Sequence, residues 1–459
     1  MNNLLAVLAL LSAPLLAAAP RVSSYAIDAS FTPAESSMRG EAEVVFAEPA
    51  RGRVSFYLHG ELGVEWIRLG DAELEFTEER VAYRYDYSWL ANRVTVELPR
   101  ETDRLTVKWK GYFSPSKARS PSDYMRIAPE GVLLRAYSYS PWFPVFAEPG
   151  DDPSAVSFPR VTIRTPKEYV SVFTGELVSR ATEGDVQVSA WRGSGVDLFA
   201  AQVTARPFVV HREGDFFAYS LDDPKSRASA AEILAFIRKL DAEYRRRFRA
   251  DAVAGQIHVM QMPRYGDISS GNVVGLSDGI WFGLAGDENA RRGLAHELVH
   301  PFVTPPIPRT DPLFALVIEG FPSYFHLPVL ADLGALDYES TMDWTESSYL
   351  EKRATGTGWR GRPLPDEKPI TAIAPEEIGI YKDTFVLDDR ALLFLDSLRR
   401  TMGRETFDRF AAALTAEPEL TLARFREVVA RFVPGAAADV DLWLTTNEFP
   451  DRWRRTPKK

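Results

Sequence analysis

Leu294–Phe325, LAHELVHPFVTPPIPRTDPLFALVIEGFPSYF, is the densest cluster of metal-ligand residue types in the chain, and its reading decides the rest. His296 and His300 stand four apart. A helix turns once in about 3.6 residues, so both imidazoles project from one face toward a common point. Glu297 follows the first histidine, and a carboxylate beside the metal rather than on it suits a base acting on water that the metal activates. A catalytic zinc takes three protein ligands and keeps one position open, and Glu319 is the third candidate. It falls about two turns into a second expected helix, with Asp311 as its cap and Pro312 at the first helical position. A plain amphipathic helix with surface histidines is the simpler explanation of such a pair. With only six histidines in 459 residues, however, an accidental HExxH with a matching distal Glu is improbable. Pro301, directly after the second histidine, removes the hydrogen bond to the carbonyl of Glu297, so the helix is expected to kink or end there.

The pattern HELVH, eighteen residues, then Glu-Gly-Phe resembles the gluzincin metallopeptidases, specifically the aminopeptidase N and leukotriene hydrolase family. The resemblance implies an α+β, multi-domain chain: an amino-terminal saddle-like β-sandwich domain, then a thermolysin-like, mostly helical catalytic domain. It implies Zn2+ held by His296, His300 and Glu319, Glu297 as the catalytic base, and a peptide or protein substrate, with aminopeptidase action as the default. Two further segments look like the family in the right order. Trp142–Pro149, WFPVFAEP, resembles its Pro-x-Phe-Asp-Glu-Pro signature with Ala147 at the aspartate, and Val170–Leu177, VSVFTGEL, its following strand and turn. Ala391–Leu398, ALLFLDSL, resembles the helix after the family's catalytic tyrosine, and the last helices match down to Trp443 and Pro450. Many relatives continue into a helical domain that roofs the cleft, so a more open site is expected here.

Two elements of the family pattern are altered. In the family a Gly-x-Met-Glu-Asn segment carries a glutamate that binds the substrate's free amino terminus. Matching Gly275-Leu276 makes Ser269–Val273 its counterpart and puts Asn272 where that glutamate stands, with Gly271, Asn272 and Val273 as the substrate-binding edge. A neutral amide accepts a hydrogen bond from an ammonium group but does not pair with its charge. The transition-state tyrosine is matched to Tyr381 only through a local insertion, since counting back from Gly403 and Phe407 reaches Leu387 or Asp388. Three readings are open: a metallopeptidase, as an aminopeptidase or as an endo- or oligopeptidase without amine anchoring; a zinc-containing binding protein that has lost activity; or a hydrolase of a non-peptide substrate such as an epoxide. Retention of Glu297 speaks against the second, because no structural role requires a carboxylate there.

The rest of the chain fits this frame. Residues 1–19, MNNLLAVLALLSAPLLAAA, form an apolar run ending in small residues, as a secretory signal does, which predicts a periplasmic or secreted protein with no span in the mature chain. There is no cysteine, so the core alone must stabilise the fold, and 45% hydrophobic with 12% aromatic residues suffices for two or three domains. A net charge of −10 without long acidic blocks argues against nucleic acid as a partner, and the basic run Arg245–Arg249 reads as a solvated helix face. Segments such as RVSFYLHGEL, RVTVELP and RLTVKWKGYF alternate with period two, placing a β-domain at residues 20–210. Helical periodicity from Pro224 onward places the catalytic domain at 211–459. His326 reads as a packed histidine rather than a fourth ligand, and Gly356–Pro369 as an exposed loop bordering the cleft.

Overall fold

The computed structural model describes residues 19–83, 89–113, 125–135, 141–147, 155–197, 201–248, 253, 255–262, 267–358, 361–382, 386–449 and 453–455. All but the last residue of the expected signal segment and the end of the WFPVFAEP stretch therefore lie outside the described residues. Period-two alternation in the first half becomes sheet: along Val22–Thr32 every second residue from Tyr25 to Phe31 is buried and those between face outward. This strand belongs to a nine-stranded sheet whose spine is the antiparallel pair Ser37–His59 and Trp89–Tyr112. A smaller sheet of four strands, Val170–Phe173, Gln202–Arg206, Gly131–Arg135 and Met125–Ala128, shares its core. Trp142 and Phe143 fill that core against Tyr25, Phe158 and Phe173, with ring centroids 5.0–6.4 Å apart.

A third sheet joins the two halves. Its order is Phe208–Glu213, Phe216–Leu221, Ile257–Gln261, Val273–Leu276 and, outermost, Ile268–Ser270. Successive side chains leave opposite faces of a strand, and here each face meets a different core. Phe217, Tyr219, Met260 and Val273 pack into the β half, whereas Ala218, Val259 and Val274 pack into the helical half. All five residues of Ile257–Gln261 are buried in consequence. The sheet opens at Phe208, so the change of architecture comes three residues before residue 211, where the change of period places it.

Helices make up most of the chain beyond this sheet, giving the α+β composition expected. Pro224–Arg247 is capped by Asp223, whose side chain accepts from the Ser226 N–H at 2.9 Å, and it lies against the third sheet. Glu288–Val303, the helix that carries HELVH, buries Leu294, Leu298, Val299 and Phe302 in the helical core. It runs two residues past Pro301 before the Thr304 N–H closes on the His300 carbonyl at 3.1 Å, so the proline sits in the last turn rather than ending the helix at once. The second expected helix is built differently from its reading. Asp311 does accept from the Leu313 N–H at 2.8 Å, but Pro312 lies in a turn and Leu316–Gly320 forms a π-helical turn that leads directly into Phe321–Asp332. Pro322 has no N–H to give the carbonyl of Ile318, which favours the wider turn just before it. Among the described residues no helix is long and apolar enough to cross a membrane.

Candidate metal centre

The helix Glu288–Val303 is held in place by its apolar face and by the buried Tyr244 hydroxyl, which donates to the Ala295 carbonyl at 2.9 Å. This fixes the turn that carries both histidines. His296 Nε2 and His300 Nε2 lie 3.2 Å apart, and Glu319 Oε2, from the π-helical turn, lies 3.5 Å from the first and 4.0 Å from the second. The three donor atoms lie within 4.8 Å of one another. A tetrahedral zinc with bonds of about 2.0–2.1 Å separates its ligand atoms by about 3.3 Å, so the cluster needs only small adjustments to close on one ion.

The electrostatics agree with a metal site. Burial pushes His300 down to about 3, with Glu319 opposing and His296, Lys382 and Arg135 adding to the shift; the imidazole is therefore neutral, the form that ligates. Burial by itself raises Glu319, but Lys382 and the two histidines outweigh it and hold the carboxyl well below its ordinary range. Glu319 Oε2 is buried and accepts no well-aligned hydrogen bond, although the Lys382 ammonium stands 3.1 Å away. A buried anionic oxygen left in this way is the donor a cation would satisfy. Glu297 is buried beside the cluster, its pKa raised first by burial and further by Glu319 and Asp267, with Lys382 and His296 opposing. His326 is not among the three grouped donors: its Nδ1–H donates to the Pro322 carbonyl at 2.7 Å and its ring stands edge-on to His296 at 5.8 Å.

The residues expected to bind substrate lie elsewhere. Gly271-Asn272 is a two-residue hairpin loop between the strands Ile268–Ser270 and Val273–Leu276, and Gly271 takes the positive φ of 61° that a II′ turn needs at its first central residue. Asn272 is used by the fold. Its Nδ2 donates to the carbonyls of Gly175 and Gln256, both at 2.7 Å, and its Oδ1 accepts from the Gly175 N–H at 2.8 Å. Gly271 faces Thr174 and Val273 is buried in the shared core, so this trio joins the two halves of the molecule instead of facing the metal cluster. The edge available to an extended chain is the strand just before it, Ile268–Ser270, which packs beside the metal helix. A Gly-Asn pair between two short apolar runs is a hairpin signal, and the sequence carries it.

Tyr381 is likewise turned aside. Its hydroxyl donates to the Asp366 carbonyl at 3.0 Å, in the loop predicted to border the cleft, and its ring lies 5.8 Å from the Lys368 ammonium. It is the next residue, Lys382, that reaches Glu319. Both belong to the short helix Ile378–Lys382, where neighbouring side chains diverge by about 100°, so only one of the two can point at the cluster. Arg135, at the end of Gly131–Arg135, is the other residue the sequence did not single out: its Nη2 donates to the Ser269 carbonyl at 2.8 Å.

No protein-family model matches the sequence, and no curated protein matches it. Solved structures do match the fold. The M1 zinc metallopeptidase of Deinococcus radiodurans, in a mutant bound to a Tyr-Ser-Ala substrate, superposes with a TM-score of 0.69 at 15% identity, over 94% of this chain and 95% of that one. The same enzyme without the mutation gives 0.66 at 14% identity, over 94% and 95%. A two-domain M1 zinc metallopeptidase mutant bound to L-arginine gives 0.67 at 15%, over 94% and 95%. At such identity the likeness speaks to architecture: this chain has the fold of the two-domain M1 zinc metallopeptidases, along nearly its whole length.

Proposed function

We propose that the protein is a zinc metallopeptidase that hydrolyses peptide bonds. The observation that carries this is the convergence of His296, His300 and Glu319, from two separate helical segments, with Glu297 buried beside them. These three residues would hold Zn2+, and the metal when bound acts as a Lewis acid on a carbonyl and brings the pKa of a water to about 7. Glu297 takes the proton of the attacking water and passes it to the leaving amine. Its raised pKa makes it the stronger base toward the water, and the same carboxyl then carries the proton to the amine. Lys382 keeps Glu319 ionised, the form in which it ligates. The solved relative bound to Tyr-Ser-Ala supports a short peptide as substrate. Aminopeptidase action is the default, with endo- or oligopeptidase action as the alternative, because Asn272 is committed to Gly175 and Gln256 and does not anchor a free amine. The apolar, Ala-rich residues 1–19 support an exported location.

The test pairs metal content with turnover. Purified protein should carry about one zinc per chain, and Glu297→Gln should keep that zinc while losing about 10²- to 10⁴-fold in hydrolysis of a peptide library. Wild-type protein without zinc, or a variant with undiminished turnover, would remove the proposal.

A further inference from the structure

Beside the metal donors stands a buried histidine that neither the ligand set nor the base accounts for. His326 belongs to Phe321–Asp332, the helix that continues the π-helical turn of Glu319, and it is 3% exposed. Its ring stands edge-on to His296, with the planes 83° apart and the centroids 5.8 Å apart. His326 Nδ1 lies 2.7 Å from the Pro322 carbonyl one turn earlier, an oxygen that only accepts. The ring proton therefore sits on Nδ1, and the bond holds the ring against flipping. A fully buried imidazole favours its neutral form, because the charged form would lose its hydration. Nε2 is then a bare lone pair. That atom is buried, and among the described residues no donor reaches it.

His296 has the complementary need. Its Nε2 is the nitrogen grouped with His300 Nε2 and Glu319 Oε2, and its side-chain contacts with polar groups of the described residues run through that atom. An imidazole that gives Nε2 to a metal keeps its one proton on Nδ1, and ligating histidines almost always pass that N–H to an acceptor. The perpendicular crossing suits such a bond, since the N–H of one ring and the lone pair of the other each stay in their own plane and can still fall on one line. At 5.8 Å between centroids, ring nitrogens that face one another are within a few tenths of an ångström of hydrogen-bonding distance. Closing the three donors on one ion calls for movement of the same size.

Resting on the zinc reading above, we infer that His326 is a positioning residue of the metal centre: its bare Nε2 takes the Nδ1–H of His296 and so fixes which nitrogen of His296 faces the ion. An acceptor there also makes the ligating nitrogen more basic. Because His326 lies seven residues after Glu319 on one continuous helical segment, the same segment that supplies the third donor also orients the first. His326 is thus joined to the site through its tautomer, without being a fourth ligand.

The test compares wild type with His326→Leu, which fills the space without an acceptor, and His326→Gln, whose amide oxygen restores one. Zinc affinity is measured on the full-length proteins by competition with a chelator. His326→Leu should bind zinc about 10- to 100-fold more weakly, and His326→Gln should recover part of the loss. Nuclear magnetic resonance of zinc-loaded wild type labelled with 15N-histidine supplies a readout that does not depend on how the variants fold. One imidazole N–H, on a ring whose other nitrogen is metal-bound, should exchange slowly and couple through its hydrogen bond to the nitrogen of a second imidazole. That signal should vanish in His326→Leu. Wild type without such a coupling, zinc affinity unchanged in His326→Leu, or equal losses in the two variants overturns the inference. Zinc held as expected without peptide hydrolysis overturns the hydrolase reading alone, and wild type that holds no zinc overturns both.

Discussion

The metal cluster and the hairpin expected to bind substrate are marked by motifs of similar length, yet they behave differently once folded. His296, Glu297 and His300 share one helix, and the turn repeat sets their relative directions whatever surrounds them. Gly271, Asn272 and Val273 sit at a hairpin, where a shift of one or two residues exchanges edge for turn and one face for the other. The difference teaches where a family motif transfers safely at low identity. Spacing within a helix carries its own geometry, whereas a position on a strand has meaning only in its register and against its neighbours.

The sharpest way to break this comparison is at the metal end. His300→Ala removes one of three grouped donors and should cost more zinc affinity than the roughly 10- to 100-fold that loss of an outer partner costs. Metal analysis after dialysis against a weak chelator reads this directly. A variant that retains full zinc would mean that helix spacing had misled here too.

At the hairpin the expected effect is on stability. Asn272→Ala deletes three hydrogen bonds, two of them across to Gly175 in the β half, and strands the carbonyls of Gly175 and Gln256, at a cost of about 2–3 kcal/mol. Urea unfolding should show a lowered midpoint. Asn272→Glu is the more pointed variant, since the family pattern would make it an amine anchor. A carboxylate donates to neither carbonyl, so it should destabilise the protein at least as much, with no gain in the rate on free-amine peptides over acetylated ones. A gain would restore the sequence-based register.

Tyr381→Phe is expected to have the smallest effect. The hydroxyl is bonded to the Asp366 carbonyl, so kcat/KM should change within about threefold, against the 10²- to 10³-fold that removal of an oxyanion donor costs. A loss in the larger range would show that the loop releases the tyrosine toward the substrate during turnover.

By itself the sequence determined the architecture and the donor set. Alternation with period two and with period 3.6 are properties of local burial, and they separate the β half from the helical half close to where the third sheet begins. The HELVH spacing placed two imidazoles and a carboxylate on one turn, and the distal Glu319 joined them even though its segment folds as a π-helical turn instead of the regular helix expected. Only the tertiary structure decided the remainder. Whether Asn272 faces a ligand or Gly175 depends on how a sheet from one half docks on the other, and the residues involved are 97 positions apart in the chain. Arg135 and Ser269 are 134 apart, and no periodicity links them. Tyr381 and Lys382 are adjacent, but which of them points at Glu319 is set by the packing of a five-residue helix between a loop and the core. Each of these contacts is selected by the assembled core and not by the chain near it, which is why the grouping of the metal-ligand residues was legible in the chain and the placement of Asn272, Arg135 and Lys382 was not.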